Sequence, residues 1–123
     1  MANQLNVLGT RLQLCCGNTG YTREGFCYVP ESDRGNHSVC AIMTDEFLLF
    51  SKAQGNDLIS PNPMYEFAGL KAGDKWCLCA IRWQHAVVAK VAPPVVLAAT
   101  NQKALTIVSL DVLKAHEYKA NTA

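Results

Sequence analysis

Two long stretches rich in glycine and proline decide how this chain can fold. Residues 15–38 hold Gly17, Gly20, Gly25, Pro30 and Gly35, and residues 56–73 hold Pro61, Pro63, Gly69 and Gly73. Residues of this kind interrupt helix and strand alike, so both stretches read as irregular segments. Regular structure is confined to what lies around them. Irregular segments of this length are uncommon inside a compact domain and are often functional, which makes 15–38 the first place to look for a site.

The remaining segments read as short elements. Residues 5–8 (LNVL) read as a strand stopped by Gly9, and 37–43 (HSVCAIM) as a second strand. Thr44 then offers a hydroxyl N-cap, Asp45 and Glu46 suit the positive end of a helix dipole, and Phe47 to Phe50 supply a buried side. Lys52 lies near the end of that helix, and Gly55 can take the left-handed C-cap conformation. Residues 75–80 (KWCLCA) read as a strand. Residues 81–91 read as a helix with Ile81, His85 and Val88 on its buried stripe, stopped by Pro93 and Pro94. Residues 95–100 and 104–108 read as strands, and Ser109 caps a last helix to about Lys119.

The expected architecture is α+β: one compact domain over 1–123, a mixed β-sheet with about three helices, and long irregular loops. A chain of 123 residues suits one domain and can hide a real core without crosslinks. Half of it is apolar and 17% is charged, which removes disorder from consideration. The net charge of +1 carries no run of Lys or Arg, so no nucleic-acid partner is expected. Val91 to Ala99, the longest apolar run, is too short to span a bilayer, so no membrane partner is expected either. The opening MANQLNVLGTRLQLCC lacks the pattern of a secretory leader, so the expected location is cytoplasmic.

Four segments carry a resemblance to a known family: NVLGT (6–10), HSVCAIMTDEFLLFSKAQGNDL (37–58), GLKAGDKWCLCAIRW (69–83) and APPVVLAAT (92–100). Together they resemble the uncharacterised bacterial family named domain of unknown function 2237. The resemblance covers nearly the whole chain and implies a compact α+β domain, with no activity attached. Cys15, Cys27, Cys40, Cys77 and Cys79 fall at the family's cysteine positions. Phe26 stands where members have another Cys, and Asn101 where many have His, so any chemistry of those two groups is lost here.

The six cysteines are the main chemical signal. In a cytosolic protein they are expected to be reduced, and then serve as core residues, metal ligands or reactive thiols. Cys77 and Cys79, two apart on a strand, share a face with Cα atoms roughly 6.6 Å apart, a poor geometry for a mutual bridge. A composite metal site from Cys15, Cys27, Cys40, Cys77 and Cys79, with zinc as the ion, stays open, although no C-x-x-C pair occurs. His37 and Cys40 can meet one ion only if the strand begins after His37. Cys15, Cys27, His37 and Cys40 are the catalytic candidates, with His37 as a base bordering the loop and Cys15 or Cys27 near Arg11 or Arg23 as a thiol.

Arg23, Asn56, Asp57, Arg82 and Trp83 are binding candidates. Asn56-Asp57 also reads as a turn bonding its own backbone, and Trp83 also suits the core. His85 reads as a core-edge residue and His116 as a helix C-terminal cation. Three functions remain: a thiol-based role in redox or metal binding, a non-catalytic module binding a small molecule or protein, and a cysteine/histidine enzyme of unknown substrate. No serine nucleophile elbow, phosphate loop or dinucleotide fingerprint occurs.

Overall fold

Thr44 starts the most legible element. Its hydroxyl accepts the Phe47 amide at 3.2 Å, and helix α1 runs Asp45–Ala53 behind it. Gly55, at φ +91°, turns the chain away after the C-cap. The computed structural model describes residues 4–15, 25–61 and 69–118. Within them, strand β1 (Val39–Ile42) precedes α1, strand β2 (Lys75–Leu78) leads into helix α2 (Ala80–Val88), and helix α3 (Leu110–Ala115) follows. Two 3-10 turns, Leu97–Ala99 and Gln102–Thr106, lie between α2 and α3.

Among the described residues the sheet has two strands, β1 and β2, paired antiparallel with Val39 opposite Leu78 and Cys40 opposite Cys77. Val95 adds isolated bridges, antiparallel to Ala41 and parallel to Glu117. The class is α+β, as expected from sequence. Side chains alternate between the faces of a strand, and here each face is buried against something different. Val39, Ala41 and Leu78 enter the main apolar core with Phe47, Leu48, Trp83, Val108 and Leu113. Cys40 and Cys77 enter a second cluster with Cys15, Cys27 and Ala99. The small sheet thus separates an apolar core from a sulfur core.

Several expected elements take other forms. Residues 5–8 form single bridges, Leu5 to Arg11 and Asn6 to Asn101, instead of a strand. Asn6 organises that turn: its buried amide donates to Thr10, to the Arg11 carbonyl and to the Ala98 carbonyl at 3.0 Å, and its oxygen accepts from the Leu8 and Thr10 amides. Beyond Val95, the expected strands at 95–100 and 104–108 are largely replaced by the two 3-10 turns. Leu105 and Ile107 are consequently exposed, whereas Ala104 and Val108 are buried.

On α2 the buried stripe is Ala80, Trp83 and Ala86, not Ile81, His85 and Val88. The reason is volume. Trp83 is the largest fully buried side chain, and small alanines a turn to either side let the helix seat it. Its indole N–H donates to the Pro93 carbonyl at 3.1 Å, and its ring meets His116 edge-on with centroids 5.3 Å apart. α2 ends at Ala89 and Lys90, the latter at φ +63°, before the prolines. On α1, Leu49 points outward while Phe47 and Leu48 are buried. Ser109 caps α3 by accepting the Val112 amide, as its sequence position implied. No helix among the described residues is long and apolar enough to cross a membrane.

Candidate thiol site

The irregular N-terminal segments supply half of the sulfur core. The chain around Gln13 runs beside residue 98, its amide bonded to the Ala98 carbonyl at 3.0 Å, and the Cys15 amide donates to the Gly25 carbonyl at 2.7 Å. Gln4 clamps Val29 through both its side-chain atoms, and Asn101 Nδ2 donates to the Cys27 carbonyl at 3.0 Å. These bonds lay Cys15 and Cys27 over the rung where Cys40 faces Cys77.

Two disulfides result. Cys15 joins Cys40 with Cα atoms 5.8 Å apart, and Cys27 joins Cys77 with Cα atoms 5.4 Å apart. Both separations lie in the ordinary range for such bonds. The expectation of reduced thiols is therefore overturned for these four residues. Its premise was the compartment, and it could not see that residues 25 and 50 positions apart in sequence meet across the sheet. Three catalytic candidates, Cys15, Cys27 and Cys40, stand in the bonded state and are not available nucleophiles in it. The Sγ atoms of Cys15, Cys27 and Cys77 all lie within 4.8 Å of one another, so the two bonds are packed side by side.

Cys79 is the free thiol among the described residues. It does not continue the strand. It is the N-cap of α2, at φ −60° and ψ 126°, and is half-buried. The Ala80 amide donates to the Asn36 carbonyl at 3.0 Å, which brings the start of α2 against the segment carrying His37.

His37 lies before β1, which begins at Val39, so the regular-strand argument against its sharing a site with Cys40 does not hold. Its Nδ1 instead meets Asp33 Oδ1 at 2.7 Å, and its backbone amide donates to Asp33 Oδ2 at 2.9 Å. The Asp33 side chain is 1% exposed and that of His37 is 39% exposed, so a buried carboxylate orients a half-exposed imidazole. Gly35 makes room for this: a Cβ there would sit 2.7 Å from His37 Cε1.

These groups border one cavity of about 650 Å³, whose wall includes His37, Asn56, Trp76, Cys77, Cys79 and Arg82. A smaller hollow of about 280 Å³ between α1 and α2 shares Ile81 and Arg82 with it and also reaches His85. Of the binding candidates, Asn56 and Arg82 line the larger cavity. Asp57 does not: it accepts the Ile59 and Ser60 amides at 2.9 and 3.0 Å, closing its own turn. The Ser60 side chain and these amides hold the Asp57 carboxyl below its ordinary value. Trp83 faces the core. Arg23 and Cys16 lie outside the described residues.

Asp33 and Cys79 are the residues that sequence reasoning underused. Asp33 has a visible signal, a carboxylate four positions before His37 in a glycine-bounded turn. Cys79 carries no such signal, because KWCLCA reads as unbroken strand and the bond from the Ala80 amide to the Asn36 carbonyl comes from a distant segment.

The family model described as an uncharacterized protein conserved in bacteria (DUF2237) matches residues 5–117. The chain belongs to that family. The matched span includes both disulfides, Cys79, His37 and Asp33, so the whole candidate site is part of the DUF2237 domain. No curated protein matches the chain. In this DUF2237 member Phe26 stacks on Tyr28 with centroids 5.0 Å apart, and Asn101, fully buried, ties the Cys27 segment to Gln4 and caps the second 3-10 turn.

Proposed function

We propose that this DUF2237 protein carries out thiol–disulfide exchange, with Cys79 as the reacting thiol and the Cys27–Cys77 bond as its internal redox partner. One observation carries the reading. The free thiol of Cys79 and the disulfide-bonded Cys77, two residues apart, line the same cavity. Exchange proceeds by attack of a thiolate on a disulfide sulfur. The Cys79 thiolate attacks Cys27 Sγ, a Cys27–Cys79 bond forms as the Cys27–Cys77 bond breaks, and Cys77 leaves as the thiolate. A substrate thiolate then attacks Cys79, giving a mixed disulfide and restoring the second thiolate inside. A second substrate thiol releases the substrate disulfide and returns Cys79 to its thiol. The sum is one internal disulfide plus two substrate thiols giving two internal thiols plus one substrate disulfide.

Arg82 and the first turn of α2, which no side chain caps, give this end of the cavity a positive character. The substrate class that suits it is a small thiol or disulfide bearing a carboxylate. The reading carries a cytoplasmic location with it, since disulfides in working cytosolic proteins are usually ones that turn over.

The test is the rate at which the oxidised protein oxidises a small carboxylated thiol. Cys79→Ser is expected to abolish it while leaving the melting temperature within a few degrees. Unchanged turnover in Cys79→Ser would overturn the proposal.

A second reading is favoured by the Asp33–His37 pair, which resembles the base-and-orienter half of a cysteine hydrolase. Cys79 would then attack a carbonyl carbon. Removing Cys27 and Cys77 together separates the two: exchange requires them as reactants, and hydrolysis does not.

A further inference from the structure

The sulfur core is more concentrated than crosslinking requires. Two disulfides can clip two loops anywhere on a sheet, yet here they share one rung, Cys40 opposite Cys77. Three of the four sulfurs lie within 4.8 Å of one another, and the fourth, on Cys40, is bonded to one of them. We propose that on reduction Cys15, Cys27, Cys40 and Cys77 bind one zinc ion as a tetrathiolate, so that the cluster alternates between a two-disulfide form and a metal form.

Geometry and chemistry agree. Zinc bound by thiolates at about 2.3 Å in a tetrahedron sets its sulfurs about 3.8 Å apart. The Sγ atoms of Cys15, Cys27 and Cys77 already lie within 4.8 Å of one another, and Cys40, outside that group of three, has to swing toward it once its bond to Cys15 opens. The backbone around them is held by bonds that do not involve sulfur. The β1–β2 ladder fixes Cys40 and Cys77, the Gly25 carbonyl holds the Cys15 amide, and Asn101 holds the Cys27 carbonyl. The backbone positions of the four ligands are therefore set before any metal arrives, with three of the sulfurs already close together.

All four cysteines are at most 4% exposed, and the apolar residues packed with them are Ala99 and Val96. Four soft thiolate ligands in a buried setting select zinc over magnesium or calcium. A closed four-ligand site is also structural in kind, with no open position for catalysis.

The interconversion balances. Each disulfide takes two equivalents of a small-molecule thiol, giving two Cys thiols and one small-molecule disulfide. The four Cys thiols then take Zn²⁺ and release four protons, leaving a tetrathiolate of net charge −2. Oxidation by a disulfide compound reverses both steps and expels the ion. The inference rests on the four buried sulfurs and not on Cys79, so it fails or survives separately from the exchange activity.

The test uses the full chain reduced anaerobically with a phosphine, which does not compete for metal as a dithiol would. Zinc is titrated against a chromophoric chelator, and cobalt(II) serves as a spectroscopic stand-in. The expected result is one zinc per chain, four protons released per ion, and the intense visible bands of tetrahedral tetrathiolate cobalt. Cys79→Ser and Cys16→Ser are expected to keep that spectrum, and Cys40→Ser to lose it. A reduced wild-type chain that takes no zinc from the chelator overturns the proposal, even where a variant fails to fold. So does a cobalt spectrum that survives in Cys40→Ser but is lost in Cys79→Ser, and so does iron outcompeting zinc in the reduced chain.

Discussion

The Cys27–Cys77 bond closes a sequence separation of 50, the larger of the two crosslinked spans. In the chain-entropy picture such a span removes enough freedom from the unfolded chain to stabilise the fold by about 4 kcal/mol. The Cys15–Cys40 bond, spanning 25, contributes about 3.5 kcal/mol alone, and less once the overlapping span is already closed. Domains of this size hold about 5–15 kcal/mol in total, so one bond accounts for a large share of it. The double variant Cys27→Ala/Cys77→Ala keeps the overlapping Cys15–Cys40 span closed, so it should lose about 2–4 kcal/mol and, compared with wild type without reductant, melt roughly 6–20 °C lower. Differential scanning calorimetry gives the shift, and urea unfolding checks that the transition remains two-state. Cys79→Ser is the control and should move little. A double variant melting within about 2 °C of wild type would refute the reasoning, because the bond would then constrain nothing that the remaining contacts do not already constrain.

Asn101→Ala removes the cap of the second 3-10 turn and strands the buried Cys27 carbonyl, so it should cost about 2–4 kcal/mol in chemical denaturation. Asp57 gives a pH signature. Its folded-state carboxyl lies below the ordinary value of 3.8, so its stabilising contribution is present above that value and is lost as pH falls through the folded-state value. The stability difference between wild type and Asp57→Asn, followed by acid titration of the melting temperature, should be constant near neutrality and shrink below the ordinary Asp range.

What the sequence disclosed was what neighbouring residues decide. Thr44, Asp45, Glu46 and Gly55 describe one helix completely, because caps and charges act within a turn or two. Ser109 does the same for α3. What it withheld was decided by distant partners. The outward turn of Ile81 and Val88 follows from the room Trp83 needs under the Pro93 carbonyl, a matter of packing that periodicity does not record. Leu105 and Ile107 alternate like a strand, yet Asn101 caps a 3-10 turn there and exposes both.

The site was legible in the same proportion. His37 could be picked out at the loop border, but its orientation depends on a buried Asp33. The sulfurs were visible one by one. Their pairing depends on Gln4, Asn6, Asn101 and the 98–102 segment, which draw two separate loops over a single rung.

That rung has a consequence for assembly. A strand slipped by one residue turns every side chain to the opposite face. Were β1 to dock one position out of step on β2, Cys40 would point into the hydrocarbon interior, beyond the reach of Cys15. A misaligned strand pair therefore could not form both crosslinks, which fit only the register in which Cys40 faces Cys77.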